Sequence, residues 1–125
     1  MAADSAAVFS ALKLVFSKAA RRLTVKVDTP SEYTLVTKSP SPFPQHKGHP
    51  MYFGSVRSGK AYVSLHLMPL YMGPVLNETI SPALKKRMQG KTCFNFKSDP
   101  DPELIAELKH LTDEGLRQWA EKNWI

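Results

Sequence analysis

The sequence predicts an α+β domain, an antiparallel sheet of about five strands covered on one face by an N-terminal and a C-terminal helix. Three observations carry this. Apolar residues recur at helical spacing at both ends of the chain. They alternate with a period of two through the middle. Proline, glycine and serine punctuate the segments between. The 125 residues suit one domain spanning 1–125, large enough for a core without disulfide or metal staples.

Asp4 or Ser5 caps a first helix that reaches about residue 22. Val8, Phe9, Leu12, Val15, Phe16, Ala19 and Leu23 fall on one stripe, with Lys13, Ser17, Lys18, Arg21 and Arg22 opposite and Leu14 the one misfit. Residues 24–27 and 33–38 read as strands around the turn Asp28-Thr29-Pro30-Ser31. Residues 39–50 hold four of the ten prolines and read as an extended loop. After the central strands, Pro69, Gly73 and Pro74 break the chain into turns. Ser81-Pro82 opens a short helix with Lys85, Lys86 and Arg87 in its last turns and Gly90 as its left-handed cap. Residues 91–97 form a strand, with Thr92, Phe94 and Phe96 on one face and Cys93 and Asn95 on the other. Asp101-Pro102-Glu103 starts the last helix, whose stripe is Leu104, Ile105, Leu108, Leu111, Leu116 and Trp119. Gly115 within that stripe predicts close approach to the sheet, and Thr112 marks a place for a kink.

Residues 51–68 are the centre of this plan. A two-residue turn at Ser58-Gly59 pairs Val56 with Ala61, Gly54 with Val63 and Tyr52 with Leu65, and these with Leu67 make a core face. The opposite face then carries Met51, Phe53, Ser55, Tyr62, Ser64 and His66, joined by Cys93 and Asn95. With both long helices on the core side, no regular element is left to cover it. A patch of aromatic rings and thioethers in that position marks an interaction or ligand site. Met51, Phe53, Tyr62, Ser64, His66 and Cys93 are therefore the expected ligand-binding residues. Tyr62 and His66 would border a pocket or a homodimer contact, with residues 39–50 as a lid.

Composition narrows the function classes. Hydrophobic content of 42% and charged content of 22% are those of an ordinary globular protein. No apolar run approaches the ~20 residues of a membrane span, and no membrane partner is expected. Asp4 and Lys13 spoil a signal peptide, and the single Cys93 suits a reducing compartment, so a cytoplasmic protein is expected. The net charge is +10 over residues 1–97 and −4 over residues 98–125. Scattered rather than blocked, these charges read as a solvated surface.

Several blocks are familiar in combination: Tyr52-Phe53-Gly54, then Val63-Ser64-Leu65-His66-Leu67-Met68-Pro69, then Ile80-Ser81-Pro82-Ala83-Leu84-Lys85-Lys86-Arg87-Met88-Gln89-Gly90-Lys91, then Cys93-Phe94-Asn95-Phe96-Lys97. In this order, across residues 33–119, they resemble the YdhG-like domain of unknown function. The resemblance implies a small bacterial cytoplasmic protein with an α+β fold compared with frataxin. One branch of the family is described as a frataxin-type iron chaperone, which implies metal binding or delivery as an alternative function. The basic first helix departs from the acidic ridge that such delivery uses.

The candidate chemistry is sparse. His46 and His49, with His66 nearby, are the metal-ligand candidates, because converging imidazoles bind zinc or iron. Cys93 with His66 is the one nucleophile pairing available, but no helix N-terminus or cationic cluster is there to lower the thiol pKa. Asp99, Asp101 and Glu103 form an acidic cluster explained by a helix start. No catalytic residues, no phosphate loop and no cofactor fingerprint emerge. A nucleic-acid partner, with Phe53 and Tyr62 stacking on bases, ranks third, since the basic helix residues and these rings fall on opposite sides of the sheet. The expected function is a non-enzymatic module that binds an unidentified small molecule or protein on the open sheet face.

Overall fold

The computed structural model describes residues 5–60, 62–72, 74–90, 93–97 and 101–125; of Ser5, His46, Met72, Pro74 and Val75 the backbone alone is described. Six strands form one antiparallel sheet: β1 (Thr24–Asp28), β2 (Glu32–Pro40), β3 (Pro50–Ser58), β4 (Val63–Leu67), β5 (Met88–Gln89) and β6 (Cys93–Phe96). Their spatial order is β1-β2-β3-β4-β6-β5. The helices are α1 (Ser5–Val15), α2 (Pro69–Met72), α3 (Pro74–Glu78), α4 (Pro82–Lys85) and α5 (Pro102–Glu121). Helices α1 and α5 pack side by side on one face of the sheet, and α2 and α3 pack against α5. The α+β architecture with one helix-covered face is as expected, and β5 makes six strands of about five. None of the described helices is long and apolar enough to cross a membrane.

The apolar stripe of α1 is buried as its spacing predicts, and Leu14 stays 62% exposed. The helix ends earlier than expected. Phe16 and Ser17 bond back three residues, to Lys13 and Leu14, and the Ser17 hydroxyl also takes the Leu14 carbonyl. That tighter turn precedes a separate 3-10 turn, Ala19–Arg21. Helix α5 runs unbroken through Thr112, whose hydroxyl bonds the Leu108 carbonyl at 2.8 Å. At its start Asp101 holds the capping position without a side-chain bond, whereas Ser81 caps α4 by accepting from the Leu84 amide at 3.2 Å.

Two expectations about connections are corrected. Gly90 has φ +79°, but it turns β5 into β6 instead of ending a helix, because α4 stops at Lys85. The proline-rich segment is partly strand: β2 runs through Pro40 and β3 begins at Pro50, which pair at the end of the ladder, where a missing amide costs little. Between Val36 and Pro40 the ladder is irregular. There the Thr37 hydroxyl substitutes for a strand partner, accepting from the Met51 amide at 2.9 Å and donating to the Ser39 carbonyl at 2.8 Å.

The central hairpin departs most from its expected form. Val56 faces Leu65 and Ser58 faces Val63, and beyond them the Gly59 amide bonds the Tyr62 carbonyl at 2.9 Å. The slip relative to a Ser58-Gly59 turn is four residues along β4. Being even, it keeps Val63, Leu65 and Leu67 on the core side. It also puts Leu65 opposite Val56 in place of Ala61, which lies outside the described residues, and leaves Lys60 in solvent.

Candidate functional site

Facing β2, Leu35 pairs with Gly54 but Val36 pairs with Tyr52, so Phe53 is an extra residue on β3, a bulge. Alternation therefore reverses there. Phe53, expected on the open face, is fully buried against the helices, and Met51 follows it at 3% exposed. Tyr52, expected in the core, is the residue that emerges on the open face. The cause is aromatic packing. The Phe53 ring stands edge-on to Phe16 at 6.4 Å and to Trp119 at 5.2 Å, which α1 and α5 bring to the same spot. Burying a ring there outweighs the lost ladder bonds of a bulge. Met51 and Phe53 thus leave the set of open-face residues.

What remains is a grid fixed by register. On β2 stand Glu32, Thr34 and Val36; on β3 Arg57, Ser55 and Tyr52 face them in turn. On β4, Ser64 faces Arg57 and His66 faces Ser55. On β6, Asn95 faces Ser64 and Cys93 faces His66, with Gln89 of β5 beyond Cys93. Tyr52, Ser64, His66, Cys93 and Asn95 are all half-buried. Tyr62, also half-buried, lies in the hairpin loop and not on a strand. The alternation pattern alone misses Tyr52, since only the bulge turns it outward. Ser55 was legible on this face, and Arg57 follows from it two residues on.

Hydrogen bonds tie the grid together. The Tyr52 hydroxyl bonds the Ser55 hydroxyl. Asn95 Oδ1 accepts from Ser64 Oγ at 2.9 Å and from Cys93 Sγ at 3.4 Å, and Asn95 Nδ2 donates to Gln89 Oε1 at 2.8 Å. Thr34 Oγ1 donates to Glu32 Oε2 at 2.7 Å. Arg57 Nε stands 3.8 Å from Glu32 Oε1. The His66 side chain makes no hydrogen bond among the described residues.

The electrostatics leave this face chemically quiet. Burial, and then the nearby Arg57 charge, lower the His66 pKa below its ordinary 6.5. Burial raises the Cys93 thiol pKa, a bond from Ser64 offsetting part of it. Burial likewise raises the Tyr52 phenol. At neutral pH the face therefore presents a neutral imidazole beside a protonated thiol, which is no activated nucleophile.

Of the metal candidates, the side chains of His49 and His66 alone are described. His46 lies in a 3-10 turn, Pro44–His46, and its side chain is outside the described residues; His49 is exposed three residues on. His66 belongs to the open-face grid. Among the described residues no three His, Cys, Asp or Glu side chains gather as a metal group would require. Asp99 of the acidic cluster is outside the described residues. The proline-rich segment does not close over the open face at Phe43, which packs instead on Trp124 at 5.5 Å, itself 5.5 Å from Trp119 on the helix side.

No protein-family model matches this chain, and neither the curated proteins nor the solved structures contain a significant match to it.

Proposed function

We propose that this chain is a non-enzymatic binding module whose ligand, a small molecule or a protein surface, sits on the open sheet face. One observation carries the reading. Tyr52, Ser64, His66, Cys93 and Asn95 stand half-buried and in register on a face away from α1 and α5. Such side chains give a partner both apolar contact and fixed polar anchors, as small-molecule sites do. The raised thiol pKa of Cys93 supports binding over covalent chemistry. The YdhG-like resemblance of residues 33–119 would bring with it a cytoplasmic setting.

Native mass spectrometry of untagged protein, with thermal unfolding against a metabolite panel, tests this. The expected result is a co-purifying or stabilising ligand whose effect is lost in His66→Ala while the fold is kept. Stabilisation that survives His66→Ala and Tyr52→Ala together would place binding elsewhere and end the reading.

A further inference from the structure

Most polar side chains of the open face bond one another, Thr34, Ser64, Cys93 and Asn95 as donors. Glu32 Oε2 is occupied by Thr34, Asn95 Oδ1 by Ser64 and Cys93, and Gln89 Oε1 by Asn95. Arg57 is the exception on the donor side. Its Nε lies 3.8 Å from Glu32, too far for a hydrogen bond, and its terminal nitrogens meet no acceptor among the described residues. The imidazole of His66 is likewise unbonded among them. No described side-chain nitrogen is both buried and unsatisfied, so these donors reach solvent. Register sets them close: Arg57 faces Ser64 and Ser55 faces His66, making Arg57 and His66 diagonal neighbours on one face.

We infer that the ligand of this face is a small molecule carrying an oxyanion, a carboxylate or phosphate held between the Arg57 guanidinium and the His66 imidazole. This rests on the binding-module reading above and adds the chemical class of the ligand. A guanidinium fork meets such a group with two parallel N–H bonds. His66 donates a third. A cationic ligand would be repelled by the Arg57 charge, with Glu32 Oε1 at the edge of the grid as the one unbonded carboxylate oxygen to hold it. A nucleic-acid strand would need a line of basic contacts, whereas Arg57 and His66 converge on one point. The charged and titratable groups facing His66 are Arg57 and Tyr52 on β3, Glu32 beyond them on β2 and Cys93 on β6. Of these only Arg57 opposes protonation of the imidazole by its charge. Burial is the larger cause of the lowered His66 pKa and stays, but an anion seated between the two offsets the Arg57 charge and attracts the imidazolium, so binding favours a proton on His66 and tightens as pH falls.

Amide and imidazole NMR titrations of the full chain with benzoate and with phenyl phosphate test the inference. Benzoate keeps its charge across the pH range used. Either anion should shift the signals of Arg57, Ser64 and His66, and the tighter of the two identifies the source of the oxyanion. Arg57→Gln should weaken binding by about tenfold or more, the ratio expected for a charge-assisted hydrogen bond. His66→Gln should abolish the tightening of benzoate between about pH 8 and about pH 6. Both variants should keep the dispersed spectrum of the folded protein. Shifts confined to the helix side, or equal affinity in Arg57→Gln, would overturn it. So would tighter binding of a single-stranded oligonucleotide at these residues. A neutral ligand or protein on the same face overturns the oxyanion alone and leaves the binding module standing. A face that takes no ligand of any kind removes both.

Discussion

Gly54 shows how far single atoms govern this sheet. A Cβ built there would stand 2.7 Å from the backbone oxygen of His66 and 3.0 Å from the Phe16 ring. The ring can yield, but the backbone oxygen is fixed by the β3–β4 ladder. Gly54→Ala should therefore destabilise by about 1–3 kcal/mol, the usual cost of overpacking, read as a lower urea midpoint with an unchanged m-value. His66 makes a second prediction. Its folded pKa lies below the unfolded value, so above the unfolded pKa the imidazole is neutral in both states and contributes nothing to pH dependence. As pH falls through the unfolded pKa, the unfolded chain takes up a proton that the folded one resists, and stability drops. Urea unfolding at about pH 7.5 and about pH 5.5 should show this loss, and His66→Gln should make it smaller. An unchanged pH dependence in the variant would disprove the assignment.

At the scale of elements, the bulge in β3 decides which aromatic residue is core. Phe53→Ala removes a ring packed between Phe16 and Trp119 and should cost about 3–5 kcal/mol. Tyr52→Ala, on the open face, should cost clearly less by the same denaturation measurement. The reverse ranking would restore simple alternation through β3. The short helix α4 depends on a neighbour. Both the amide and the hydroxyl of Ser81 donate to the Glu107 carboxylate of α5, at 2.7 and 2.6 Å. A helix of four residues has little stability of its own. Glu107→Ala should cost about 1.5–3 kcal/mol, as for hydrogen bonds to a charged group, and should speed hydrogen exchange at Leu84 and Lys85 before the sheet is affected. Gly115 plays the matching part at α2, since a Cβ there would stand 2.8 Å from the Pro69 ring.

Across the whole molecule, the aromatic contacts form one line. Phe16, Phe53, Trp119, Trp124 and Phe43 meet edge-on in succession, with centroid distances from 5.2 to 6.4 Å. This line joins the turn after α1, the central strand, α5, the C-terminal residues and the proline-rich segment. Each such pair contributes about 0.5–1.5 kcal/mol beyond its burial. Trp124→Ala breaks two of them and should release the segment around Phe43, seen as faster hydrogen exchange across residues 41–49 while β3–β4 protection is retained. Equal protection there in the variant would mean that the segment's own hydrogen bonds, among them the Ser41 amide to His49 and the Phe43 amide to Ser41, hold it without Trp124.

The sequence by itself determined the layers and the ends. Helical spacing placed the stripes of α1 and α5, and even the misfit Leu14 stays in solvent. The Ser81-Pro82 cap was legible because capping is local chemistry within one turn. Period two placed Val63, Leu65 and Leu67 in the core and Ser64, His66 and Cys93 opposite, and those survive because the hairpin slipped by an even number of residues. Tertiary structure alone decided β3. Nothing local separates Tyr52 from Phe53, since both are aromatic and suit a strand. The choice was made by Phe16 and Trp119, which arrive from opposite ends of the chain and leave room for one ring. The bulge that admits Phe53 also turns Tyr52 outward beside Ser55 and His66. The make-up of the open face was therefore fixed by packing on the other side of the sheet.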